Sequence, residues 1–127
     1  MNIRVYYEDT DLAGIVYYAN YLRFIERART EYVRALGVDQ VKLKAEDGIV
    51  FAVRRLEVDY IAPARFDDIV EVTTIPVSVT GARIVLDQTV ARDGSPLFRA
   101  IVTLVALSPS GQPTRIPANL RQLMKDG

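Results

Sequence analysis

The chain has 127 residues, half of them hydrophobic and a quarter charged, with 16 Lys and Arg balanced by 16 Asp and Glu. That length suits one domain, residues 1–127, with a real core, and zero net charge removes any global electrostatic case for nucleic acid or an anionic membrane. There is no Cys and no His, which excludes disulfides, thiolate nucleophiles, Ser-His-Asp chemistry and every His- or Cys-ligated metal site.

Residues 2–8, rich in Ile, Val and Tyr, are expected to form a strand. An acidic turn follows, Glu8-Asp9-Thr10-Asp11, and then Ala13-Gly14. Tyr21, Ile25, Ala28, Tyr32 and Leu36 then recur at spacings of four and three, with Leu22, Phe24 and Val33 beside them. That period predicts one long amphipathic helix. Asn20 is the expected N-cap and Gly37 the left-handed residue past its end. On its polar face Glu26 can pair with Arg29, and Arg27 with Glu31.

Residues 38–48 read as an irregular connection with room for a helical turn. From residue 49 the pattern changes to period two, with Leu56, Val58 and Tyr60 facing one way and Glu57 and Asp59 the other. Ala62-Pro63-Ala64 ends or bends that strand. Three more strands are expected: Ile69 to Val79, with Pro76 marking an edge or a bulge, Ile84 to Arg92, and Leu97 to Leu107. Thr80-Gly81 and the hairpin signal Asp93-Gly94 join them. After a loop from Ser108 to Pro113, Pro117 to Met124 can form a short helix with Pro at its start.

Tight turns force antiparallel neighbours, and one long helix covers one face of the sheet. The fold class is therefore α+β. The run Ile101, Val102, Leu104 to Leu107 is nearly all apolar, which predicts burial of both faces of the last strand. One helix covers one face only, so a homo-oligomer is expected; coverage by loops and the C-terminal segment is the alternative. No apolar run reaches the roughly 20 residues of a membrane span, and the start carries no signal-peptide pattern. The expected location is the cytoplasm. No metal site is expected, because no loop shows the regular Asp or Asn spacing of an oxygen-ligated one.

A carboxylate near a helix N-terminus lies beside unsatisfied, partly positive N–H groups. Glu8, Asp9 and Asp11 can serve chemistry there, or they can simply be solvated turn residues and caps. The segments RVYYEDTDLAGIVYYANYLRFIERART and FAVRRLEVDYIAPARFDD resemble the hotdog-fold acyl-CoA thioesterases of the 4-hydroxybenzoyl-CoA thioesterase type, especially their YbgC-like branch. The resemblance covers both halves of the chain. It implies a hotdog fold, an antiparallel sheet of about five strands wrapped around one long central helix. It also implies hydrolysis of the thioester of a small or medium acyl-CoA to free acid and CoA.

By residue-wise match Asp11 is the catalytic acid, as nucleophile or general base, and Asp9 the first Asp of the turn. The resemblance further implies a site at a dimer interface and tetramers made of such dimers. Helix N-terminal N–H groups would receive the carbonyl oxygen, Tyr18 first, with Val16 and Tyr17 as neighbours. Gly14 would allow close approach. Arg65 and Arg83 are the leading candidates for the CoA phosphates, followed by Arg54, Arg55 and Arg115. CoA is part of the substrate, so no separate cofactor is expected. Many YbgC-like relatives carry His where this chain has Tyr18, so any step needing that imidazole is closed here; benzoyl-type members tolerate Tyr. A hydroxyacyl dehydratase on the same fold would resemble a His-plus-carboxylate site, which the absence of His opposes. The remaining alternative is a non-catalytic hotdog module that binds acyl groups or acyl carrier protein.

Overall fold

A computed structural model describes residues 1–126, with the side chain of Asp126 left aside. The elements are β1 (Asn2–Arg4), α1 (Asn20–Ala35), α2 (Gln40–Asp47), β2 (Val50–Tyr60), β3 (Ile69–Val79), β4 (Ile84–Arg92), β5 (Ser95–Leu107), β6 (Pro113–Thr114) and α3 (Ala118–Asp126). The strands form one antiparallel sheet in the order β1-β3-β4-β5-β2, and the two-residue β6 pairs with β5. This is the hotdog arrangement, with α1 as the central helix packed against β3 and β4.

The apolar stripe of α1 becomes the core. Tyr21, Phe24, Ile25, Ala28 and Val33 are buried against the inward rows of the sheet, Val70 and Val72, Ile84, Leu86 and Val90, and Phe98 to Ala106 at every second position. Pairs such as Leu86 with Val102 and Ile84 with Leu104 keep these rows in register. Each large side chain so buried contributes roughly 1.5–3 kcal/mol. One polar residue interrupts the inward row. Gln88 is fully buried; its Nε2 donates to the Ile25 carbonyl and to Thr74 Oγ1, both at 2.9 Å. Its Oε1 accepts from Arg29 Nη1 at 3.0 Å. This clasp joins the middle of α1 to the middle of the sheet.

Turns follow their chemistry. Asp93 and Gly94 both take positive φ, as a two-residue primed hairpin requires. The register of β3 shifts between Pro76 and Ser78, a bulge beyond the short reach of β1. At the end of α1, Gly37 adopts φ 91°; its N–H bonds to Arg34 O and the Val38 N–H to Val33 O, the paired closure of a Schellman motif.

Several expectations need correction. The first strand stops at Arg4, because the Asp9 carboxylate accepts the Tyr6 N–H and Tyr7–Asp9 closes into a 3-10 turn. Residues 40–47 form a true helix, capped by Asp39 on the Lys42 N–H and ended by Gly48 in the left-handed region. Asn20 does not cap α1. The chain is already helical at Ala19, and the Asn20 side chain donates to the Asp9 carbonyl instead. On the helix surface Glu31 pairs with Arg34 and Arg29 turns inward to Gln88.

The outer sheet face is the part left open. On β5 Ile101, Thr103, Val105 and Leu107 are only half-buried, while the alternate residues are fully covered. The expectation of two covered faces therefore does not hold within one chain. The C-terminal helix does not supply the cover: it lies against β3, and Met124 lines a small cavity with the inward-facing Ile84 and Leu104 and with Val33 of α1, so α3 sits on the inner face. Among the described residues no helix is long and apolar enough to cross a membrane.

Candidate active site

The acidic turn is built from backbone hydrogen bonds. The Asp11 N–H bonds to Ile15 O at 2.9 Å and the Gly14 N–H to Asp11 O at 3.0 Å, while Thr10 and Val16 bridge as in a tiny hairpin. Gly14 has φ 77°, a conformation that suits glycine. Asp11 Oδ1 accepts the Ala13 N–H at 2.9 Å, an Asx turn that fixes the carboxylate. Its Oδ2 has no partner among the described residues, and the side chain is exposed. Asp9 is occupied otherwise: its carboxylate holds the Tyr6 N–H at 2.8 Å, and its carbonyl accepts from the Tyr17 N–H and from Asn20 Nδ2, both at 2.9 Å.

The start of α1 lies directly behind this turn. Of the three N–H groups expected to serve the substrate, two are taken. Val16 donates to Ala64 O at 2.8 Å and Tyr17 to Asp9 O at 2.9 Å. The Tyr18 N–H has no acceptor among the described residues. It is thus an unspent donor at the positive end of a sixteen-residue helix. The Tyr17 phenol is held above its ordinary value, first by the Tyr18 side chain and last by the negative charge of Asp11.

A cavity of about 330 Å³ opens beside them, lined by Ile15, Val16, Tyr18, Tyr21, Tyr60, Ile61, Ala62 and Pro63. Two tyrosine hydroxyls shape it. Tyr21, stacked on Phe98 at 4.9 Å, accepts the Ala64 N–H at 2.9 Å. Tyr60 donates to the Tyr18 carbonyl at 2.9 Å. The 62–68 loop that forms the far wall is clamped by Asp68, which accepts the Arg65 N–H at 2.8 Å and Arg92 Nη1 at 2.6 Å. Burial pushes the Asp68 carboxyl up, but these two hydrogen bonds and the charges of Arg92 and Arg65 outweigh it and hold it below the usual range.

Asp11, Gly14, Val16, Tyr17 and Tyr18 thus come together at one corner of the molecule. Asp11 does not line the cavity; its side chain is exposed, as are those of its neighbour Leu12 and of Tyr17, whose phenol feels its charge. Arg65 lies next to the turn, bridged to Ile15. Arg83 does not join it. It shares a groove of about 570 Å³ with Arg54, Arg55, Ile101, Thr103 and Val105 on the outer face, and the Arg115 guanidinium lies over Gly81 beside it. From Phe98 at the site to Leu104 beside Ile84 the sheet runs about 20 Å at ~3.3 Å per residue, so the two cationic positions serve different surfaces.

Sequence reading missed Tyr21, Tyr60 and Gln88. Tyr21 and Tyr60 carried no signal beyond their place in an apolar pattern. Gln88 did carry one, a polar residue at an inward position between Leu86 and Val90.

The comparisons with known proteins agree on one family. A model of the thioesterase superfamily matches residues 13–98. The chain is 44% identical over 105 residues to the acyl-CoA thioesterase YbgC of Haemophilus influenzae, covering 83% of this chain and 77% of that protein. It is 40% identical over 126 residues to the acyl-CoA thioester hydrolase YbgC of Escherichia coli O157:H7, covering 94% and 93%. A 4-hydroxybenzoyl CoA thioesterase complexed with 4-hydroxybenzoyl CoA superposes with a TM-score of 0.92 at 24% identity, over 98% of this chain and 96% of that one, and shares its fold. The chain belongs to the thioesterase superfamily, in its YbgC-like acyl-CoA thioesterase branch.

Proposed function

We propose that the chain hydrolyses the thioester of a small or medium acyl-CoA to the free acid and CoA, with Asp11 as the reacting carboxylate. The observation that carries this is the pairing of an Asx-fixed, outward carboxylate with the unspent Tyr18 N–H. A thioester carbonyl laid across the helix start places its oxygen on that donor. As negative charge develops there, a fixed donor is worth about 10²–10³ in rate. Asp11 then attacks the carbonyl carbon, the C–S bond breaks, CoA leaves as thiolate, and water opens the mixed anhydride. Alternatively Asp11 takes a proton from water, which attacks instead. Both routes use the ionised carboxylate and neither uses imidazole, in keeping with a chain that has no His. An acyl carrier protein could present the same thioester in place of CoA.

The reading includes a second copy of the chain. Leu12, Tyr17, Tyr18, Tyr60, Ile61 and Phe66 are large apolar side chains left exposed in one chain, three of them lining the cavity. A partner seated there would exclude water and complete the pocket, in a dimer or a tetramer of dimers. The CoA phosphates would meet Arg65 beside the turn, or the Arg83 groove on the outer face.

The test is free-thiol release from a panel of aliphatic and aromatic acyl-CoAs. Asp11→Asn should lower kcat/KM by on the order of 10³ at an unchanged thermal midpoint. Equal release by wild type and variant would defeat the assignment, and no release by wild type would favour an acyl-binding module. Sedimentation showing a stable monomer would defeat the completed pocket.

A further inference from the structure

We infer that Tyr60 is a positioning residue for this reaction: its hydroxyl fixes the peptide that leads into α1 and with it the direction of the Tyr18 N–H. The inference rests on the hydrolytic reading above.

Tyr60 ends β2 and lies 42 positions from Tyr18, yet its hydroxyl donates to the Tyr18 carbonyl at 2.9 Å. Tyr18 lies just ahead of α1, before the capping position Ala19, so no helical N–H comes back to its carbonyl. The Asn20 N–H goes to Tyr17 O at 2.8 Å and the Leu22 N–H to Ala19 O at 3.2 Å. The turns on either side pass the Tyr18 carbonyl over, and the Tyr60 hydroxyl satisfies it.

The ring that carries this hydroxyl is itself held. Tyr60 is the register partner of Phe98 across β2 and β5. Its ring meets Phe98 edge-on at 5.2 Å, Tyr21 at 5.8 Å and Tyr18 at 6.2 Å. Strand, ring and hydroxyl form one chain of contacts from the sheet to the residue whose N–H is unspent. The N–H and the carbonyl of Tyr18 flank the same Cα. Fixing the carbonyl limits the torsions through which the N–H could swing, and a donor that need not reorient is what oxyanion stabilisation requires. No step passes through the phenol itself.

Tyr60→Phe keeps the ring and removes only the hydroxyl. The expected result is a kcat lowered roughly 10-fold, with KM within about twofold and the thermal midpoint unmoved, because the side chain is half-exposed. Amide hydrogen exchange at residues 18–22 should quicken in the variant, a readout that needs no turnover. Wild-type kcat together with wild-type exchange would overturn the inference. So would a raised KM at unchanged kcat, which would make Tyr60 a wall of the pocket and nothing more. If Asp11→Asn is inactive while Tyr60→Phe behaves as wild type, the chemistry stands and the positioning role falls. If wild type releases no thiol, the hydrolytic reading falls and amide exchange alone decides whether the latch exists.

Discussion

The middle of α1 and the turn that leads into it are held by different forces. Phe24, Ile25 and Ala28 are between 0% and 4% exposed and lie in a helix packed against β3 and β4. Tyr7, Leu12 and Tyr18 are 82%, 107% and 61% exposed, so apart from Val16 burial does not hold their segment. It is held by backbone hydrogen bonds, one Asx turn and the Asp9 carboxylate. In the first region side chains create stability and the backbone follows. In the second the backbone is shaped first, and side chains and N–H groups are left unspent for another molecule. Substitutions should therefore separate, with core changes costing stability and turn changes costing activity.

Phe24→Ala should show the largest loss of stability, about 3–5 kcal/mol by urea unfolding, with KM unaltered at temperatures where the variant is folded. A loss below about 1 kcal/mol would mean that α1 is not packed as described. Gln88→Leu comes next. It removes three hydrogen bonds and leaves the partly buried Arg29 guanidinium without its acceptor; burial already holds that guanidinium below its ordinary value, with Glu26 offsetting in part. A cost of about 1–3 kcal/mol is expected, and a stabilised variant would show that the clasp is dispensable.

Asp9→Asn should be milder than Asp11→Asn in activity, under roughly 10-fold, because an amide oxygen can still accept the Tyr6 N–H. A greater loss at Asp9 would identify the wrong carboxylate as the reacting one. The smallest effect concerns acid stability. With its carboxyl below the usual range, Asp68 contributes stability that is present above its unfolded value of about 3.9. That contribution is lost as pH falls through the lower folded value. Asp68→Asn should flatten the thermal midpoint's acid limb by less than ~1 kcal/mol, the pair with Arg92 being partly exposed. An unchanged acid limb would remove Asp68 from the account.

The core was legible because periodicity is a local signal. The spacing from Tyr21 to Leu36, the alternation along the strands and Asp93-Gly94 each report on neighbours within a few residues. The helix α2 carried its signals too, Asp39 before it and Gly48 after it, but Val41 is exposed and Leu43 alone packs inward, so no apolar stripe announced it. What stayed illegible was long-range. The bond from Tyr60 to Tyr18 spans 42 positions and that from Arg29 to Gln88 spans 59, and no short pattern encodes either. Asn20 misled because a cap was expected wherever a helix starts, whereas this start is tied sideways to the Asp9 carbonyl. The identity of the reacting Asp came from resemblance, since nothing in the spacing separates Asp9 from Asp11.

The strand order has a consequence for synthesis. β5 emerges from the ribosome after the other four long elements of the core, yet it sits between β4 and β2. Val50 to Tyr60 must wait for Leu107 back to Phe98 before a single ladder bond can form. At about 5–20 residues per second that is a delay of seconds, during which an eleven-residue, valine-rich segment is exposed to any other nascent chain. A premature stop before residue 97 would release that segment for good, so truncated products should be found in inclusion bodies rather than as partly active enzyme.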